Sequence, residues 1–387
     1  MENTRITQLP VDPISYENRT YDRIFWGGVD SEMEDCQRRF IHGLISYYKP
    51  KRILELGVSA GGTSVAILNA AMEYGGVVHS IDVTEKMYRK PFLPVGHCVK
   101  EQLGDEVDKV WTLHIGEPAE VLRKLDLDFD FCVIDTMHAH PVETLNFISA
   151  LPYLNNGAIT IMHDTTVYAW MDNKHVDCFM KMFAPRLLLT SVCAEKLIPN
   201  LPSGNMNVSN IAAWQISEDT RKYCDNLFDV LYMPWEMDIA DATIKAVEEI
   251  VAEKYKEDML NKYHEAIRLN REMFVEAKCR KMGINKSHRD IPNNTVFYGA
   301  GSRMKELLSL FDEVNFDFEY KIWDKNFDKI STVGGKRVLA PNYEMRAEPG
   351  QLMVVMIEDK NIFNEIKTQF EKLNYTVYHG LNNQGFK

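Results

Sequence analysis

The sequence predicts an α/β protein: a doubly wound, mostly parallel sheet followed by a smaller α/β domain. Three observations carry this. Short, nearly continuous apolar runs alternate with helical segments between residues 50 and 164, the pattern of a parallel sheet covered on both faces. Two such runs lead straight into glycine turns that open helices, "ILELGVSAGGTS" at 53–64 and "TVFYGAGSRMKELL" at 295–308. A helical, proline-free stretch from Asp238 to about Met282 separates them.

Residues 1–30, with Trp26-Gly27-Gly28, read as an irregular arm. A helix is expected from about Ser31 to Tyr48, with Phe40, Ile41, Leu44 and Ile45 on one face. "KPKRILELG" is a turn and a first strand, and Thr63–Tyr74 is a small-residue helix. "GVVHSIDV" at 76–83 is a second strand with Asp82 near its end, and "KVWTLHIG" at 109–116 a third. "EPAEVLRKL" is a helix with Pro118 in its first turn, where a missing N–H costs nothing. "FDFCVID" at 129–135 is a fourth strand, "VETLNFISALPYL" a helix and "GAITIMHD" at 157–164 a fifth strand. "PRLLLTSVCAEKL" and "VSNIAAWQIS" read as strands at the sheet edge, and "LPSGNMNVSN" as a loop. The helical stretch, with Gly283 as C-cap, is a solvated linker helix or helix pair, or else a subunit or domain contact, and residues 285–294 follow as a linker. Further strands are expected in "FEYKIWDKN", "KRVLAP", "QLMVVMIED" and "YTVYHGL". The expected boundaries are 1–235, a helical linker at 236–290, and 291–387.

The apolar fraction of 45% and charged fraction of 26% are those of an ordinary globular chain. A net charge of −12 argues against nucleic-acid binding, which needs a basic face. No apolar run reaches transmembrane length, and the N-terminus lacks a signal-peptide apolar region. The seven cysteines are scattered, with no CxxC pair, as in reduced cytosolic proteins. A cytoplasmic protein with a small-molecule or sugar partner is expected, with no nucleic acid and no membrane.

The first glycine turn has no lysine, so it is not a phosphate-binding P-loop, and it has no Gly-x-Gly, so it is not a dinucleotide fingerprint. What remains is Glu55-Leu-Gly57-Val-Ser59-Ala-Gly61: an acid, then widely spaced glycines. Such a chain passes close beneath a ligand that brings no phosphate, and the acid suits a cationic one such as a sulfonium with an amino-acid tail. Asp82, at the next strand end, stands where a carboxylate accepts hydrogen bonds from both hydroxyls of a ribose.

These motifs resemble those of class I S-adenosylmethionine-dependent methyltransferases, "ILELGVSAGGTS" their first motif and "HSIDV" their second. The resemblance implies contacts with S-adenosyl-L-methionine at Glu55, Gly57, Ser59 and Gly61, a ribose contact at Asp82, and Gly116 and Glu117 beside the adenine.

Two further strand ends carry acids, Asp135 in "VIDTMHAHP" and Asp164 in "TIMHDTT". In a doubly wound sheet both end over one cleft. Two hard oxygen ligands and the neighbouring Thr165 hydroxyl suit Mg²⁺, which lowers the pKa of a bound hydroxyl. Asp135 is read as a contact of the donor as well. His138, three residues past Asp135, is placed to remove a hydroxyl proton near neutral pH. His163 is read as orienting Asp164, and His140, before Pro141, as a turn residue. Tyr168, Trp170, Trp214 and Trp235 line a substrate pocket or fill the core.

This arrangement resembles catechol O-methyltransferases and their bacterial relatives of the macrocin and "cephalosporin hydroxylase" type. Met137 departs from the Asp-Gly-Asp-His of those relatives and removes one acid. The resemblance covers about residues 35–170 and implies a metal-assisted O-methyltransferase acting on a hydroxyl of a sugar, surface glycan or secondary metabolite. The C-terminal segment resembles the small Rossmann-like domain of bacterial sugar acyltransferases, with Gly299, Gly301 and Asp324 in nucleotide-site positions and Met304 where a third glycine belongs. It leaves two alternatives, an NAD(P)-dependent oxidoreductase and a non-catalytic nucleotide-sugar-binding protein. The long helix is compatible with a homodimer.

Overall fold

The computed structural model describes residues 33–169, 182–199, 202–203, 206–281, 294–313 and 319–380, in two compact units, Met1–Ile267 and Arg268–Lys387. The arm at 1–30, Trp170, Gly283 and all of the 285–294 linker except Asn294 lie outside the described residues. No helix among the described residues is long and apolar enough to cross a membrane.

The first unit opens with helix α1 (Asp35–Tyr48), which buries the expected face of Phe40, Ile41, Leu44 and Ile45. Strand β1 (Arg52–Leu56), helix α2 (Gly62–Met72), β2 (Val77–Asp82), α3 (His97–Leu103) and β3 (Trp111–Ile115) follow. Then come α4 (Pro118–Leu125), β4 (Phe129–Ile134), α5 (Val142–Ala150) and β5 (Leu154–His163). After α6 (Ala184–Ser191), β6 (Lys196–Leu197) and a hairpin of β7 (Pro202–Ser203) and β8 (Met206–Ser209), β9 (Ile211–Gln215) completes the sheet.

The strand order is β3-β2-β1-β4-β5-β9-β6, with β1 to β5 parallel and β9 antiparallel to both neighbours. The chain walks outward from β1 to β3, then returns to β4 and walks the other way. Right-handed crossovers therefore put α2 and α3 on one face and α4 and α5 on the other. Accordingly α1, α2 and α3 pack together, and α4, α5 and α6 pack together. The central strands are buried on both faces, Ile53 to Leu56 in β1 and Phe131 to Ile134 in β4, as their nearly continuous apolar runs demand.

The segment at 185–191, expected as a strand, is α6. Its run of leucines reads equally well with either period. Pro185 occupies the first turn, Ala184, Leu188 and Leu189 are buried at helical spacing against α5, and the Thr190 and Ser191 hydroxyls donate to carbonyls three and four residues back. Only Lys196–Leu197 of this stretch pairs in the sheet.

Short helices α7 (Glu218–Lys222) and α8 (Asp225–Val230) lead to α9 (Asp241–Lys254) and α10 (Glu257–Lys281). Helix α9 packs on α4 and α5 rather than bridging solvent. Arg123 of α4 pairs with Glu249, the Tyr255 hydroxyl donates to the Ile148 carbonyl at 2.6 Å, and Tyr263 donates to the Ile244 carbonyl at 2.8 Å. The 236–290 segment is thus part of the first unit as far as Ile267.

The second unit contains β10 (Thr295–Tyr298), α11 (Ser302–Glu313), β11 (Tyr320–Trp323), β12 (Thr332–Val333), β13 (Lys336–Leu339), β14 (Leu352–Val355), α12 (Lys360–Glu371) and β15 (Thr376–His379). Its sheet order is β12-β13-β11-β10-β14-β15, parallel except for β12. Alternation along β10 sends Phe297 into one core with Met304, Leu307 and Leu308 of α11, and Val296 and Tyr298 into another with Ile366 and Phe370 of α12. Asp324 closes the glycine turn by accepting the Ala300 N–H at 2.7 Å and the Asn326 N–H at 2.8 Å.

Gly57, just past β1, has φ +88°, and a Cβ built there would lie 1.9 Å from the Asp135 carbonyl oxygen. No side chain fits this approach. Gly57→Ala is expected to cost about 3 kcal/mol or more in urea unfolding. The comparator Gly301→Ala, with nothing within 4 Å, is expected to stay within about 1 kcal/mol of wild type.

Candidate active site

The turn after β1 is held from three sides. Gly57 N–H donates to the Ile81 carbonyl at 2.9 Å, continuing the β1–β2 ladder past the strand. Asp82 Oδ2 accepts the main-chain N–H groups of Val58 and Ser59, both at 3.1 Å, and its Oδ1 accepts that of Thr84 at 3.1 Å. From the far side Gly96 N–H donates to the Ser59 carbonyl at 2.8 Å and Cys98 N–H to that of Ala60 at 3.1 Å. Ser59 takes the left-handed conformation at φ +50°. Gly116 N–H donates to the Asp82 carbonyl at 2.9 Å, and Glu117 caps α4. Gly57, Ser59, Gly61, Asp82, Gly116 and Glu117 therefore gather at the carboxyl ends of β1, β2 and β3, where sheets of this kind take their ligands.

Glu55 does not join them. It is fully buried, one residue short of the strand end, on the face covered by α2. The Ser64 hydroxyl donates to its carboxylate at 2.8–2.9 Å, and the Ser80 hydroxyl, itself accepting the Trp111 indole N–H at 2.8 Å, donates at 2.5 Å. Burial pushes this carboxyl up to about 7 against the pull of the two serines. The expected donor contact at Glu55 is thus a brace beneath the turn: strand alternation turns its side chain to the helix face rather than the cleft.

Asp135 and Asp164 end β4 and β5, and they do converge. His138 lies between them, its Nε2 at 2.9 Å from Asp164 Oδ2 and 3.7 Å from Asp135 Oδ1. Ligand atoms of Asp135, His138 and Asp164 lie within 4.8 Å of one another. Thr165 is not in that set; it is buried, with its N–H on the Asn210 carbonyl at 3.3 Å. His138 and Asp164 both have left-handed backbones, φ +62° and +56°, an arrangement costing about 1–3 kcal/mol each unless neighbours fix it. Glu143 fixes the first by accepting the His138 N–H, and Asn210 fixes the side chain of the second by donating from Nδ2 to Asp164 Oδ1.

The charges are ordered. Burial opposes charge on His138, but Asp164 and Glu143 outweigh it and hold the imidazole well above its usual 6.5. Burial pushes the Asp164 carboxyl up, but His163, His138 and the Asn210 amide outweigh it and hold the group well below the carboxylate range. His163 is read from its partners. Gln37 Oε1 accepts the Glu34 N–H at 3.0 Å, which fixes that atom as oxygen, so His163 Nε2, also at 3.0 Å, must donate to it. His163 Nδ1 faces Asp135 Oδ1 at 3.1 Å and Asp164 Oδ1 at 3.6 Å. Both nitrogens thus face acceptors, and the two aspartates raise the ring's pKa against the effect of burial.

His140 is buried on the turn, as expected. Its N–H donates to Glu236 Oε2 at 2.7 Å, and burial pushes its ring down to about 4. Trp214 and Trp235 are core residues: Trp214 stands edge-on to Phe147, and Trp235 donates to the Leu231 carbonyl at 2.9 Å. Tyr168 packs on Phe183. Gln37, Glu143 and Asn210 were not singled out from the sequence. An acid in a first helical turn and an asparagine before a strand have ordinary local explanations, and only burial marks them as site residues.

Glu55 gives a pH signature. The folded state keeps its proton up to about 7, whereas an unfolded chain releases it near 4.5, so stability falls as pH rises across that window and levels off above it. Between pH 5 and 8 the wild type is expected to lose about 2–3 kcal/mol in urea unfolding relative to Glu55→Gln. Parallel slopes for the two proteins would contradict the assignment.

Residues 54–165 match a family model described as a methyltransferase domain, which covers less than a third of the chain. No curated protein matches the chain. Among solved structures, an O-methyltransferase from Bacillus cereus in complex with SAH is 17% identical, with a TM-score of 0.39, 51% of this chain and 91% of that one covered. The O-methyltransferase TomG from Streptomyces achromogenes, involved in tomaymycin synthesis and solved with SAM, is 17% identical, with a TM-score of 0.40 and coverages of 52% and 91%. The SAH-bound methyltransferase PaMTH1 from Podospora anserina is 15% identical, with a TM-score of 0.39 and coverages of 51% and 86%. The match to the methyltransferase-domain model spans the glycine turn, the Asp82 clasp and both acidic strand ends.

Proposed function

We propose that the protein is a metal-assisted O-methyltransferase acting on a hydroxyl of a sugar, surface glycan or secondary metabolite. The observation that carries this reading is the Asp135–His138–Asp164 cluster directly against the donor turn, Gly57 abutting the Asp135 main chain.

The donor is held by the main chain of Gly57, Ser59 and Gly61, by Asp82 on its ribose, and by Gly116 and Glu117 beside its adenine; Asp135 faces the same cleft. Two carboxylates and one imidazole within 4.8 Å of one another fit a divalent cation, with Asp135 and Asp164 the hard oxygen ligands Mg²⁺ prefers. When bound, such a metal polarises a coordinated hydroxyl and lowers its pKa. Thr165, next to Asp164, is the further ligand expected from the sequence. His138 receives the proton of the acceptor hydroxyl, and Asp164 and Glu143 stabilise the imidazolium that forms. That pairing also raises the ring's hold on a proton, so turnover is expected to rise with pH. The C-terminal unit, with its Asp324-closed glycine turn, recognises a nucleotide-linked or sugar part of the acceptor or pairs with a second chain.

Calorimetric titration with S-adenosylhomocysteine, with and without Mg²⁺ and alongside NAD⁺, tests the reading. Micromolar S-adenosylhomocysteine binding, lost in Asp82→Ala, is expected, with no NAD⁺ binding. On a panel of hydroxylated sugars, His138→Ala is expected to lower turnover by about 10²-fold or more with donor-product binding unchanged. Binding of NAD⁺ alone would move attention to Gly299 and Asp324.

A further inference from the structure

His138 is the residue on which the proposed chemistry turns, yet nothing in its local sequence explains how it is held. It sits on the turn between β4 and α5 in a left-handed conformation that residues other than glycine adopt uncommonly. Its main-chain N–H is accepted by Glu143 Oε1, five residues on in the first turn of α5. Its ring Nδ1 lies 3.3 Å from the same oxygen, while Nε2 faces Asp164 at 2.9 Å. Glu143 is itself fixed, since the Thr136 hydroxyl donates to Oε1 at 3.1 Å and Asn146 Nδ2 donates to that hydroxyl at 3.2 Å.

The burial of Glu143 is what calls for explanation. Its side chain is wholly inaccessible, and Oε2 has no hydrogen-bond partner among the described residues. A buried carboxylate with one oxygen unpaired is a poor contribution to stability, and a well-packed apolar residue in α5 would serve packing better. What the carboxylate alone supplies is one oxygen that accepts the His138 main-chain N–H and stands as an ionic neighbour 3.3 Å from ring Nδ1, short of hydrogen-bond geometry there.

We propose that Glu143 is the positioning residue of the site: by taking the His138 N–H and facing Nδ1, it fixes the turn and presents Nε2 to the cleft between Asp135 and Asp164. This rests on the reading of His138 as the proton acceptor. It assigns to Glu143 no contact with donor or acceptor.

The test uses the full chain labelled with ¹⁵N-histidine and needs no acceptor. Long-range proton–nitrogen spectra give the ring nitrogens of each histidine, and His138→Asn identifies those of His138. In the wild type His138 Nδ1 is expected to carry a proton. In Glu143→Gln its resonance, and that of the His138 main-chain amide, are expected to move by well over a linewidth, with S-adenosylhomocysteine affinity within about twofold of wild type. Unchanged His138 ring signals in a Glu143→Gln protein that still binds S-adenosylhomocysteine would overturn the proposal. If that variant does not fold, the wild-type spectrum decides: an unprotonated Nδ1 overturns it. Failure of the wild type to bind S-adenosylhomocysteine would overturn the methyltransferase reading instead, whatever the ring spectra give.

Discussion

Two halves of the site come together because one residue has no side chain. The main chain of Gly57 lies against the carbonyl of Asp135, so the turn leaving β1 and the acid leaving β4 share one van der Waals surface. The Asp135 N–H donates to the Leu56 carbonyl at 2.9 Å, which ties the two strand ends at the same level. Everything else follows from that closeness. Asp82 clasps the turn from β2, and Glu55 braces it from below. Asp164 and His138 close over Asp135 from the other side. In the proposed reading, this contact sets the distance between a bound donor and the group it methylates, and a rigid sheet sets it more reproducibly than a loop can.

The acidic side of the cleft is made rigid by pairing. Asp135, Glu143 and Asp164 stand among the imidazoles of His138 and His163, and each carboxylate has at least one imidazole nitrogen within 3.3 Å. Gln37 on α1 and Asn210 ahead of β9 hold the outer members of this set. Partners so placed leave the groups little freedom, and they lower the cost of burying like charges side by side. A dication entering the cluster would meet charges that already have partners, so its binding is coupled to release of a proton from the site.

Much of this was legible in the sequence. The strand ends were, because nearly continuous apolar runs terminate at Asp82, Asp135 and Asp164, and parallel topology leaves all three on one edge. The glycine turn was legible for the same reason. Glu55 was misread because its chemistry suits the ligand, whereas its position, one residue inside the strand, decides which face it takes. The helix over Ala184–Ser191 was misread because three leucines in a row, Leu187 to Leu189, have no resolvable period. Glu143, Gln37 and Asn210 were invisible for a different reason. Gln37 and Asn210 act through contacts across the fold, 126 and 46 positions apart from His163 and Asp164, which no local pattern encodes, whereas Glu143 acts on a turn five residues back whose left-handed shape the sequence does not announce.

The pairing of Asn210 with Asp164 has one more consequence. These residues are 46 positions apart, and the Asn210 side chain also accepts from the Thr166 N–H at 2.8 Å and hydroxyl at 2.9 Å. Asn210 stands directly ahead of β9, the strand that pairs with β5, so the same side chain joins that strand to the acid that ends β5. A displacement of β9 therefore reaches Asp164 through one amide, and the strand and the acid behave as a single mechanical piece.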